Sequence, residues 1–210
     1  MINMLLNFLF PPVCGICGKL DKEWVCKNCL EKLKINIIYQ KAYNKYYDEI
    51  IYLFRYKDVR KLILKYKFSN GAFLSNTFSK IILKNKNLCR NLKFYDIIIP
   101  VPMYKIKKQK RGYNQTELIT KKIAKNLELQ EDSKILLKIK NTKTQSKLNE
   151  KQRYENIKNV FNIKDNEKIK NKNIILFDDI ITTGATINEC ARILKQNGAT
   201  KVVVLAIAKD

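Results

Sequence analysis

IILFDDIITTGATINEC, running from Ile174 to Cys190, decides how the rest of the sequence is read. Four apolar residues lead into two adjacent carboxylates and a threonine-rich glycine loop, in a chain whose formal net charge is +23. The apolar run is expected to form a buried strand from Asn173 to Phe177, and the residues after the loop a helix from about Thr186 to Asn197, closed by Gly198. In an open α/β sheet, ligands bind beyond the carboxyl ends of the strands, where Asp178 and Asp179 would lie. The backbone N–H groups of Thr182, Thr183, Gly184, Ala185 and Thr186, three threonine hydroxyls and a helix N-terminus then make an anion cradle suited to a phosphate. Gly184 lets the backbone approach it closely. Two ionised carboxylates beside a phosphate cradle fit a phosphorylated sugar, whose vicinal hydroxyls they would accept. A plain helix cap needs one Asp or Thr, not the whole set.

Reading outward, YDIIIPVP (Tyr95 to Pro102) is a β-branched run ended by prolines, hence a buried strand followed by a loop. MYKIKKQKRGYNQTELITKKIAKNL packs Lys105, Lys107, Lys108, Lys110 and Arg111 into a basic loop that breaks at Gly112. Asn114 or Thr116 then caps a helix to about Leu127. Asn141 to Asn159 is polar and aperiodic, as expected of a lid over a site. VFNI and the closing strand KVVVLAIA follow. Strands alternating with helices predict a mostly parallel α/β sheet flanked by helices. Upstream, Leu30 to Leu92 reads as mostly helical, including YDEIIYLFRYKDVRKLILKYKFSNG (Tyr47 to Gly71), whose Lys65 and Lys67 can reach an anion.

At 210 residues and 46% hydrophobic content the chain can bury one ordinary core plus a small appendage. Lys+Arg outnumber Asp+Glu by 42 to 19, which points to polyanions. The excess is nearly all lysine and spread along the chain, so a compositional bias explains the same number. No stretch is apolar for long enough to span a bilayer. MINMLLNFLFPP lacks a basic start and a cleavage site, so it is expected to be a packed terminal segment of a cytoplasmic protein. Cysteines are then metal ligands or core thiols before they are disulfides. Cys14, Cys17, Cys26 and Cys29 form C-x2-C-x8-C-x2-C, and with no histidine in the chain a closed tetrahedral zinc site would need all four thiolates. A redox pair or four buried thiols would use the same residues. Cys89 and Cys190 have no partner at ligand spacing.

ILFDDIITTGAT resembles the phosphoribosyl-pyrophosphate (PRPP) signature of type I phosphoribosyltransferases. PVPMYKIKKQKRGYNQTELI and LFPPVCGICG narrow the resemblance to the ComF family, associated with natural competence and DNA uptake. KYKFSNG, RGYNQ, Gln145, Arg153, Asn156 and Phe161 extend it over nearly the whole chain. The resemblance implies a zinc-binding module at residues 1–36 and a phosphoribosyltransferase-like domain at 37–210. It implies that Asp178 and Asp179 hold the ribose hydroxyls, that Thr182 to Thr186 hold the 5′-phosphate, that Lys108 and Arg111 meet pyrophosphate, and that Mg²⁺ bridges pyrophosphate and ribose oxygens. Single-stranded DNA, with Tyr104 and Tyr113 as candidate stacking rings, and competence proteins are the further partners expected. A phosphoribosyltransferase active in nucleobase salvage is the alternative.

Overall fold

The computed structural model describes residues 11–43, 45–142 and 149–210; most of the terminal segment MINMLLNFLFPP, and Gln145 in the expected lid, lie outside the described residues. Among the described residues, six strands form the main sheet: β1 (Ile38–Lys41), β2 (Glu49–Arg55), β3 (Ile97–Pro100), β4 (Gln130–Glu131), β7 (Asn173–Ile181) and β8 (Lys201–Lys209), in the spatial order β1-β2-β8-β7-β3-β4. Every neighbouring pair is parallel except β1 with β2. A two-stranded antiparallel ribbon, β5 (Leu136–Lys138) with β6 (Phe161–Ile163), stands apart from it. The mostly parallel α/β sheet expected from the sequence is therefore the fold.

The strands at the centre of the sheet read as continuous apolar runs because helices cover both faces. Ile175, Phe177, Val203 and Leu205 point into one core with residues of α2 (Tyr56–Phe68), α3 (Leu74–Lys84), α4 (Lys86–Leu92) and α6 (Gln115–Leu127). Ile174, Leu176, Val202 and Val204 point into the other, with Ile187, Ala191 and Leu194 of α8 (Ala185–Gln196). Asn114 caps α6 as expected, its side chain accepting from the Thr116 N–H at 3.4 Å.

Four local expectations change. Glu49 to Arg55 is a strand, not helix: Ile50 faces one core, Ile51 and Leu53 face the other, and pairing with β8 overrides a pattern that also suits a helix. Lys105 to Arg111 is a helix, α5, with no buried residue, rather than a loop. Part of the polar segment is helix α7 (Glu150–Ile157), opened by a capping box between Asn149 and Gln152. Finally, β7 continues to Ile181, so Asp178 and Asp179 lie within the strand rather than after it.

The KYKFSNG segment makes a tight turn in which a Cβ on Gly71 would lie 2.5 Å from the Lys65 carbonyl oxygen and 2.8 Å from the Tyr66 Cα. Both neighbours are backbone, so neither can rotate away. Gly71→Ala should destabilise the protein by about 1–3 kcal/mol, visible as a lower urea midpoint at unchanged slope; an unchanged midpoint would mean the turn relaxes freely.

Candidate functional site

β3 stops at Pro100, which pairs with Phe177, while β7 runs on beside β8 for four more residues. The sheet is thus notched at the two aspartates. Successive side chains of a strand point to opposite faces, and the two carboxyls meet different neighbours while staying within reach of each other, the Asp179 N–H donating to Asp178 Oδ1 at 2.8 Å. Asp179 turns to the α2 face, where its Oδ1 lies 3.0 Å from the Lys67 ammonium. Its Oδ2 is buried and has no hydrogen-bond partner among the described residues. Asp178 turns to the α8 face, within electrostatic reach of fully buried Cys190 and of Lys138, whose ammonium burial brings down to about 8. Burial, and then the neighbouring Asp179, push the Asp178 carboxyl up to about 8. Burial thus works against a second negative charge beside Asp179, so ionising both carboxyls, as the sequence reading expects against ribose hydroxyls, needs compensating partners at Asp178.

After Ile181 the chain turns through Thr182, Thr183 and Gly184 into α8, with Gly184 at φ +78° as its N-cap. A side chain there would be strained whatever the space around it. Asp178, Thr182, Gly184, Ala185 and Thr186 line a niche of about 20 Å³. Helix α7 lies over the loop: Arg153 Nη1 donates to Thr182 Oγ1 at 3.1 Å and the Tyr154 hydroxyl to the Thr183 carbonyl at 3.1 Å. Tyr47 approaches from another side, its hydroxyl 3.9 Å from the position of a Gly184 Cβ. Tyr47 and Tyr154 carry no pattern that singles them out in the sequence; the fold brings them here.

Lys67 also lines a cleft of about 390 Å³ with Phe68, Asn70, Lys107, Lys110, Arg111 and Tyr113. Two tyrosines knit its halves together. The Tyr66 hydroxyl donates to the Gln115 carbonyl at 2.6 Å, and the Tyr113 hydroxyl donates to the Tyr66 carbonyl. Tyr113 is therefore engaged in packing, its ring 6.0 Å from that of Tyr66. Arg111 bonds Gln115 and feels Asp179 through space. Lys108 does not join this group: its ammonium is 2.7 Å from Glu117. The helical form of α5 explains the difference, because it turns Lys107, Lys110 and Arg111 towards the cleft and Lys108 away from it.

The Sγ atoms of Cys14, Cys17, Cys26 and Cys29, the last on the short helix α1 (Lys27–Lys32), all lie within 4.8 Å of one another. Cys17 and Cys26 are 3.9 Å apart. Four thiolates about 2.3 Å from a tetrahedral zinc would be about 3.8 Å apart, so the cluster has the dimensions for a metal ion. The Cys26 N–H donates to Cys14 Sγ at 3.4 Å. Burial alone would raise the Cys14 thiol, but backbone N–H groups of Cys17, Cys26 and Ile16 bring it down to about 6, while Cys29, bonded first to Cys26, is pushed up to about 12. Without a cation the four sulfurs cannot all be thiolates. The cluster is joined to the rest of the fold: Cys14, Val25 and Cys29 share the core of Leu62 and Leu74, and Trp24 stacks on Phe73 with centroids 4.0 Å apart.

A notched parallel sheet with an acidic pair beside the notch and a glycine loop opening a helix belongs to a recognisable class: residues 93–210 match the phosphoribosyl transferase domain family, to which the chain belongs. Its relatives narrow the class. The chain is 28% identical over 205 residues to Competence protein F of Haemophilus influenzae, covering 94% of this chain and 85% of that protein. It is 30% identical over 151 residues to DNA utilization protein YhgH of Escherichia coli O157:H7, covering 70% of this chain and 66% of that one. It is 26% identical over 195 residues to Competence protein ComFC of Bacillus subtilis, covering 89% and 72%. Within the domain family the chain is thus a member of the ComF family. Among the described residues no helix is long and apolar enough to cross a membrane.

Proposed function

We propose that this ComF-family protein binds PRPP with Mg²⁺ and handles single-stranded DNA during DNA uptake in the cytoplasm. The observation that carries the PRPP half is the buried Oδ2 of Asp179, which has no hydrogen-bond partner among the described residues, next in sequence to Asp178, which lines the niche of the glycine loop that opens α8. A buried acceptor without a partner is costly, and a ribose hydroxyl would satisfy it. Asp178 and Asp179 would take the ribose hydroxyls, and the backbone of Thr182 to Thr186 the 5′-phosphate. Arg111 and Lys67 would meet pyrophosphate, joined by Lys107 and Lys110, which line the same cleft, more readily than by Lys108, which does not line it. Magnesium would supply charge between pyrophosphate and ribose oxygens. Residues 1–36 would form a zinc module on the phosphoribosyltransferase-like domain of 37–210, with the four thiolates kept reduced for the metal.

The DNA half rests on the names of the relatives and on the cationic cleft. Binding of oligothymidylate should weaken steeply with added salt, with a logarithmic slope of about −0.7 per phosphate neutralised. Lys110→Glu should weaken it more than Lys108→Glu, a change of equal charge, because of the two only Lys110 lines the cleft. Absence of binding at low salt, or indifference to salt, would overturn this half. Titrating PRPP with magnesium into the protein should give saturable heat, and its absence would overturn the other.

A further inference from the structure

Lys67 and Phe68 end α2 side by side but face different ways. Lys67 turns in to Asp179, whereas Phe68 is 71% exposed and forms part of the wall of the cationic cleft. The Arg111 guanidinium carbon lies 5.2 Å from the centre of its ring. Lone exposed apolar residues are ordinary. This one stands among Lys107, whose ammonium donates to the Thr142 carbonyl at 2.9 Å, Lys110, and Arg111, which bonds the Gln115 amide, and none of the three forms an ion pair with a carboxylate among the described residues. Asn70, at φ 49°, lines the cleft next to it. The cleft therefore offers an open aromatic face, unneutralised positive charge and an amide, within the volume range that small ligands occupy. Phosphate alone would use the cations and leave the ring idle. A bare aromatic molecule would use the ring and leave the cations idle. A nucleobase carried on a phosphate backbone uses both, by stacking on the ring while phosphates meet the lysines.

We infer that Phe68, backed by Arg111, is a stacking platform for one base of a single-stranded nucleic acid lying in this cleft. The inference rests on the single-strand reading above and adds that the base, not only the phosphate, is held. Because Lys67 and Arg111 serve both the cleft and the strand end, a strand in place would occupy cations proposed for pyrophosphate.

The test compares the full chain binding an oligothymidylate and an abasic oligomer of equal length and charge. The thymidylate should bind about 5- to 150-fold more tightly, the range of one aromatic–base stack. Phe68→Ala should remove that preference while leaving abasic binding and its salt slope unchanged. Phe68→Trp should restore the preference; since Phe68 is exposed, both variants should fold. Equal affinities for the two oligomers in the wild type would overturn the platform while leaving electrostatic DNA binding intact. Binding of neither would overturn both readings. Thymidine monophosphate binding as tightly as the oligomer, and equally dependent on Phe68, would assign the ring to a free nucleotide and overturn the strand.

Discussion

Cys17→Ser should cost the protein its metal and its N-terminal fold together, although the Cys17 side chain is exposed and packs little. Four-thiolate zinc sites contribute roughly 10–16 kcal/mol of apparent binding energy, which is folding energy when the apo site is unformed. Here the site is tied to the core, since Cys14, Val25 and Cys29 pack with Leu62 and Leu74. The chain has one tryptophan, and it reports from the right place: Trp24 lies between the two cysteine pairs and stacks on Phe73. Purified under reducing, chelator-free conditions, the wild type should carry one zinc per chain. Chelation or Cys17→Ser should shift Trp24 emission to that of a solvent-exposed indole and lower the thermal midpoint. Choosing Cys17 rather than buried Cys14 separates loss of a ligand from loss of packing. Wild-type protein with metal near zero, or a Cys17→Ser variant with unchanged emission and midpoint, would overturn the zinc assignment.

The parts of the fold legible in the sequence are those where one local pattern had one structural outcome. Ile174 to Phe177 and the closing KVVVLAIA run are strands because β-branched runs buried on both faces have few other uses. Asn114 caps a helix because its side chain supplies an acceptor that the helix start lacks. Residues 49–55 defeated the same reasoning: EIIYLFR suits an amphipathic helix, and only the arrival of β8, from some 150 residues later, makes it a strand. In the candidate site, the acidic pair and glycine loop were legible as a motif. Their division between two faces of the sheet was not, because the length of β7 past Pro100 depends on where β3 ends. Lys108 stands in a run of lysines whose sequence reads as a loop, where neighbouring side chains are not told apart. Once the run is a helix, a side chain one position along faces another way, and Lys107 and Lys110 take its place at the cleft.

The acidic pair should prove unequal when its members are changed one at a time. Replacing both aspartates by alanine should weaken PRPP binding at least roughly tenfold, since hydrogen bonds to charged groups are worth about 1.5–3 kcal/mol each. Asp179→Asn should account for much of that loss, because it removes the anion that faces Lys67 at 3.0 Å and the free acceptor Oδ2. Asp178→Asn should reveal itself first in stability. The Asp178 carboxyl titrates near 8 in the folded protein against an ordinary 3.8, because burial disfavours its charge. Between those values the unfolded chain has lost this proton and the folded chain has kept it. The folded state binds more protons, so unfolding free energy falls as pH rises through the window, by up to about 1.4 kcal/mol per unit for one full proton. Asparagine cannot titrate, so the variant should lack this part of the slope. Urea unfolding of wild type and Asp178→Asn from pH 5 to 8, with calorimetric titration of PRPP and magnesium into each protein, measures both effects. Parallel stability profiles would mean that Asp178 is ionised in the folded protein. Equal PRPP affinity in wild type and the double alanine variant would show that the acidic strand end does not hold the ribose.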